Sequence, residues 1–199
     1  MAEPWLVAGL GNPGDRYART RHNAGWMALD VLCSRLGGRL RRQRFVGVEA
    51  AEATANGVQV LLVESAHAYM NLSGPPIASF AKKRDVPVDR VVVVHDELDL
   101  PFGALKIKRG GSTAGHNGVG SVAQAFRSDD FHRVRIGIGR PPGRQDPADF
   151  VLEPFAARER EDIAVTIEEA ADAVLMLVTE GLEAAQAGFN RGSGPRPQG

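Results

Sequence analysis

The stretch Val91-Val92-Val93-Val94-His95-Asp96-Glu97 decides the fold. Four β-branched residues alternate with nothing polar, which marks a central strand buried on both faces, and such a strand needs helices above and below its sheet. The run ends in three titratable residues. Open α/β sheets collect functional groups at the carboxyl ends of their strands, so Asp96 is the acid best placed for chemistry, ahead of Glu97 and Asp99. Any of the three could instead cap a turn.

Working outward, Trp5-Leu6-Val7-Ala8 is a second apolar run, ended by glycines. Phe45 to Ala53 and Val58 to Val63 read as strands joined at Asn56-Gly57 by a hairpin turn, which makes the sheet partly antiparallel. Ala104 to Arg109 and Arg133 to Ile138 are further strands. Helical spacing starts at Ala24 and stops at Gly37-Gly38, and a short helix over Ser73 to Lys83 enters through prolines. Another runs from Asn117 to Phe126. Ile163, Ile167, Ala170, Val174 and Leu177 place one long helix near the C-terminus, with Glu168, Glu169 and Asp172 on its other face. Arg140 to Pro147 is a loop. The expected fold class is α/β, a single three-layer domain over 1–190 with a twisted mixed β-sheet flanked by helices. The Gly/Pro-rich tail 191–199 has the composition of a disordered segment.

A chain of 199 residues with 43% hydrophobic content suits one sizeable core. The single cysteine, Cys33, excludes an internal disulfide and points to a reducing compartment, with a near-core position as its ordinary role. No apolar run reaches membrane-spanning length and the start lacks a leader pattern, so a cytoplasmic protein without membrane contact is expected. Net charge is zero, yet residues 1–150 carry +5 and residues 151–199 carry −5. Basic clusters at 39–44, 82–84, 106–109 and 133–144 could build a face for an anionic partner.

Gly9-x-Gly11-x-x-Gly14 matches the dinucleotide fingerprint formally. Pro13 removes an N–H where the loop would cradle a pyrophosphate, and no helix follows Gly14, so the glycines read better as a turn that holds Asn12 at the sheet's edge. The histidines at 22, 67, 95, 116 and 132 show no metal-ligand spacing, and no G-x-S-x-G elbow or Walker lysine is present. Neither metal nor cofactor is expected. Water chemistry driven by a general base remains, with His22 in Thr20-Arg21-His22-Asn23 as the base and Asp96 as its orienting partner. Asn12, Asn71 and Asn117 sit at junctions of loops with regular elements, where their amides suit a peptide backbone or a developing oxyanion. An Asx turn or helix cap is the alternative for Asn71. Met70 fills space beside the site, His95 points to the opposite face, and His116 and His132 have no obvious partner.

Five ordered stretches carry a resemblance: GLGNPGDRYARTRHNAGW (9–26), MNLSG (70–74), HDELDLPFG (95–103), GGSTAGHNG (110–118) and RVRIGIGRP (133–141). Together they resemble bacterial peptidyl-tRNA hydrolase. The resemblance implies that residues 1–190 form the catalytic domain, which hydrolyses the ester between peptide and tRNA and recycles tRNA from stalled or abortive translation. It implies His22 as catalytic base, Asp96 as the group that orients it, and Asn12 as a catalytic-site amide holding substrate. Tyr17, Met70, Asn71 and Asn117 would bind the peptide and the attacked carbonyl, while Lys106, Lys108, Arg135 and Arg140 would face the tRNA. A monomer is the family expectation. A noncatalytic RNA-binding relative of the same fold is the rival reading.

Overall fold

The computed structural model describes residues 3–190; the tail expected over 191–199 lies outside them. Seven strands form one sheet: β1 (Trp5–Gly9), β2 (Arg41–Gln43), β3 (Val48–Ala55), β4 (Val58–Glu64), β5 (Val91–Glu97), β6 (Leu105–Arg109) and β7 (His132–Gly137). Their order is β2-β3-β4-β1-β5-β7-β6. The inner strands β4, β1, β5 and β7 are parallel, and β3 and β6 pair antiparallel on either side. Among the described residues six α-helices complete the layers: α1 (Ala24–Arg35), α2 (Gly74–Lys83), α3 (Asn117–Phe126), α4 (Pro147–Val151), α5 (Arg160–Glu180) and α6 (Leu182–Phe189).

Strand alternation divides the apolar residues between two cores. Val7, Val92 and Val94 pack with Leu29 of α1 and with Ile167, Val174 and Leu177 of α5. Leu6, Ala8, Val91 and Val93 pack on the other face with Ile77 and Phe80 of α2 and Val119 and Val122 of α3. The valine run is therefore buried on both sides, and all seven residues of β5 are buried.

Most elements lie where the sequence places them, and the Asn117–Phe126 helix matches residue for residue. Three differences have physical causes. The strand expected from Phe45 begins at Val48, because 44–47 form the turn from a short edge strand, β2, whose sequence Arg-Arg-Gln has no apolar alternation. The long helix expected around Ile163–Leu177 is α5, and a second, shorter helix that the spacing did not show, α6, follows Gly181. The 140–147 loop ends in α4, entered through Pro147 and capped by Asp146 Oδ1, which accepts the Ala148 N–H at 2.8 Å. The Asn12 loop also leaves the middle of the sheet, at the carboxyl end of β1, and not its margin.

Gly25 brings α1 onto that end of the sheet. A Cβ there would fall 2.2 Å from the Val94 carbonyl oxygen, so only glycine permits the approach. At the far margin, α6 lies along β6: Ile107 N–H donates to Asn190 Oδ1 at 2.6 Å, and the Ile107 carbonyl accepts from Asn190 Nδ2 and Gln186 Nε2 at 2.9 and 3.1 Å.

Candidate active site

β1 ends at Gly9, and the chain then turns so that Asn12 meets Asn23 through two hydrogen bonds. Asn12 N–H donates to Asn23 Oδ1 and Asn23 Nδ2 donates to the Asn12 carbonyl, both at 2.9 Å. Asn12 Oδ1 also accepts the Met70 N–H at 2.8 Å. Three segments far apart in sequence are thus held as one unit around the Arg21–Asn23 turn. Arg21 anchors that turn from behind: its guanidinium pairs with Glu159 at 2.9 Å and lies over the rings of Phe150 and Phe155.

The turn delivers His22 to the end of β5. His22 Nδ1 lies 2.9 Å from Asp96 Oδ1, and both residues are buried. A carboxylate is acceptor-only, so Nδ1 carries a proton, and in the neutral ring the lone pair is on Nε2. Asp96 Oδ1 has a second partner, His116 Nε2, also at 2.9 Å. His116 precedes α3, and its Nδ1 accepts the N–H groups of Gly118 and Val119 at 3.1 and 3.3 Å. Burial alone would raise the Asp96 carboxyl, but the imidazoles of His116 and then His22 outweigh it and hold the group well below the usual carboxylate range. Behind them, burial keeps His95 neutral; its Nδ1 lies 2.6 Å from the Asp96 carbonyl and its ring centroid 4.8 Å from that of His116.

These groups open on a cavity of about 300 Å³, walled by His22, Asp96, His116 and Asn117 on one side and by Leu98 and the start of α4 on the other. None of its lining residues carries a hydroxyl or a thiol. The donor atoms of His22, Asp96 and His116 all lie within 4.8 Å of one another, so the set could take a divalent transition ion once both ring protons left. A larger groove of about 450 Å³ between α1 and α5 is mostly apolar and contains none of the candidate catalytic, substrate-binding or tRNA-binding residues.

The structure therefore brings His22, Asp96 and Asn117 to one cavity. Asn12 is tied to them through Asn23, whereas Met70, Asn71 and Tyr17 lie outside the lining. Asn71 is exposed in the short turn before α2, and Tyr17 packs edge-on to Tyr69 at 6.3 Å. The expectation that His116 lacks a partner is corrected, since both its ring nitrogens are engaged. His95, read as facing away from the site, does leave β5 on the opposite face from Asp96 yet still reaches His116. The cap position of His116 just ahead of a helix was the available signal; nothing local marked its reach to Asp96.

The basic residues gather at the β6–β7 margin. Register sets Lys106 opposite Arg135 and Lys108 opposite Arg133, so four cations share one face. Like charges placed opposite one another are unfavourable unless an anion joins them. Arg135 is partly answered by Glu97, at 3.0 and 2.8 Å, and Arg140 by Asp99. Arg133 is buried and donates to the carbonyls of Gly110, Gly111 and Ser112, which shapes the loop leading to His116. Burial, then Arg133 and Arg135, pushes the Lys108 ammonium down.

On an open α/β sheet, a carboxylate-paired imidazole with no hydroxyl or thiol beside it is the equipment of a hydrolase that activates water. The chain belongs to the peptidyl-tRNA hydrolase family, whose sequence profile matches residues 6–197. It is 56% identical over 183 residues to the peptidyl-tRNA hydrolase of Nocardia farcinica, covering 92% of this chain and 94% of that one. With that of Kineococcus radiotolerans it shares 51% over 197 residues, covering 96% and 98%. The crystal structure of peptidyl-tRNA hydrolase from Acinetobacter baumannii superposes with a TM-score of 0.89 at 32% identity, covering 97% of each chain. An Arabidopsis thaliana 5′-methylthioadenosine nucleosidase, 7% identical with a TM-score of 0.55, shares the fold alone.

Proposed function

We propose that His22 is the general base in hydrolysis of the ester joining a peptide to tRNA. The chain is an ester hydrolase of the peptidyl-tRNA hydrolase family, and one observation carries the residue assignment. His22 Nδ1 is held by Asp96 at 2.9 Å, which leaves Nε2 available beside a cavity whose lining carries no hydroxyl or thiol. Nε2 takes a proton from water as the water oxygen attacks the ester carbonyl. The imidazolium is stabilised by the Asp96 carboxylate. When the tetrahedral intermediate collapses, the same proton passes from Nε2 to the departing ribose oxygen. Such proton transfer contributes about 10²–10⁴-fold, and an ester needs less help than an amide because its leaving group is better.

Asn117, at the first turn of α3 and facing the cavity, is placed to donate to the carbonyl oxygen as charge develops there. In this reading Asn12 holds substrate near the base and keeps Met70 in place, and Tyr17, Met70 and Asn71 receive the peptide. The opposed cations of β6 and β7 support a phosphate contact at that margin. Lys106 and Lys108 are its principal donors, since Arg135 and Arg140 already have carboxylate partners. In this reading the protein acts as a monomer. A translation substrate and a lone thiol suit the cytoplasm, and among the described residues no helix is long and apolar enough to cross a membrane.

The test is release of tRNA from N-acetylaminoacyl-tRNA, with Mg²⁺ retained for RNA folding and a chelator selective for transition ions added. Release that resists the chelator is the expected result. Binding without release would support the noncatalytic reading, and loss of release with chelator would refute the metal-free step.

A further inference from the structure

We propose that His116 is a positioning residue for the base: it caps α3 through Nδ1, donates Nε2–H to Asp96 Oδ1, and so fixes the carboxylate while taking a share of its charge from His22. The inference rests on the reading of His22 as base. His116 Nδ1 accepts two N–H groups at the start of α3, so its proton must sit on Nε2, the atom 2.9 Å from Asp96. With both nitrogens committed, the ring cannot itself act as a base without giving up the cap. Its role is exerted through Asp96.

Sharing has a chemical consequence. A carboxylate devoted to His22 alone would favour the imidazolium strongly, and the proton would be slow to leave for the ribose oxygen. A second N–H on the same oxygen draws off part of that charge. The rings of His22 and His116 lie 4.9 Å apart, which leaves no room for a protonated His116 without repelling the imidazolium. The other groups facing the pair are His95 and Glu97 from β5, Arg133 from β7, Arg21 beside His22, and Asp146 at the start of α4. His95 is neutral, Glu97, Arg133 and Arg21 are bound to partners of their own, and Asp146 Oδ1 accepts the Ala148 N–H as the cap of α4. That leaves His116 as the direct modulator of the carboxylate.

Two substitutions separate its two bonds. His116→Asn places an amide oxygen near the position of Nδ1, keeping the cap and losing the donor to Asp96. His116→Gln places an amide nitrogen near the position of Nε2, keeping the donor and weakening the cap. In H116N the acid limb of kcat/KM should move to higher pH by about half a unit or more. Its kcat should fall about tenfold, with thermal stability retained. H116Q should keep the acid limb in place and melt at lower temperature. In substrate-free protein, the His22 Nδ1–H resonance should move in H116N and stay in H116Q. An unmoved acid limb and resonance in H116N, or equal changes in both variants that follow loss of stability, would overturn the proposal and leave His116 as a cap. A moved resonance in a protein without any turnover would support the shared carboxylate and refute His22 as base.

Discussion

Replacing Asp96 by Asn removes one charge while keeping the size of the side chain and an oxygen that can accept from both His22 and His116. The His22 Nδ1 to Asp96 Oδ1 distance is 2.9 Å in a buried site. At an effective dielectric of about 20, a full charge pair at that distance is worth about 6 kcal/mol before desolvation is counted. Roughly half of the imidazolium charge has developed when the proton is in transit, so about 3 kcal/mol of transition-state stabilisation is at stake, or about 10²-fold in rate. Single-turnover release of tRNA from N-acetylaminoacyl-tRNA at saturating enzyme reads this directly. A D96N rate within about threefold of the unaltered protein would refute the charge argument. The folded-state carboxyl lies below its ordinary value of 3.8, so its contribution to stability is present above that pH and is lost as pH falls below it. The difference in melting temperature between the unaltered protein and D96N should therefore shrink below about pH 4.

His22→Ala should abolish ester cleavage while tRNA affinity and the melting curve stay close to the original; undiminished turnover would remove His22 from the base role. Lys108→Ala should weaken tRNA binding and reduce the slope of log affinity against log salt by about 0.7–0.9, with little change in saturated single-turnover rate, and an unchanged slope would take Lys108 off the RNA face. Glu64, on the last residue of β4, is pushed up to about 7 by burial, then by Asp30 and by Glu49, its cross-strand neighbour. The unfolded group titrates near its ordinary 4.5, so stability falls as pH rises from there to about 7 and is flat above. Glu64→Gln should accordingly raise the melting temperature at pH 8 by an amount equivalent to about 3 kcal/mol and change it little at pH 4.5. Equal effects at both pH values would contradict the assignment.

Those elements that announce themselves by burial were legible in the chain. The valine run and the Asn56-Gly57 turn each specify their structure within a few residues, and Pro75-Pro76 mark the start of α2, because burial period, turn conformation and helix entry are local properties. β2 was not legible: Arg41-Arg42-Gln43 is a strand only because the backbone of β3 lies beside it. The long helix α5 was legible from its apolar spacing, whereas α6 was not, because its eight residues after Gly181 are too few to establish a helical period. At the site, Asp96 could be reached by asking what lies at the end of a buried strand. His116 could not, since its bond to Asp96 depends on where the start of α3 comes to rest. Asn23 was visible as part of a distinctive tetrapeptide, yet its exchange of hydrogen bonds with Asn12 depends on Gly25 letting α1 sit against β5.

The side chains of Asn190 and Gln186 on Ile107 do for β6 what a neighbouring strand would do. They occupy an N–H and a carbonyl that would otherwise face outward as a template for another chain. Removal of the chain from Gln186 onward would thus alter colloidal behaviour before it altered catalysis: the shortened protein would retain the paired His22 and Asp96, yet present a sticky margin through which copies could add edge to edge.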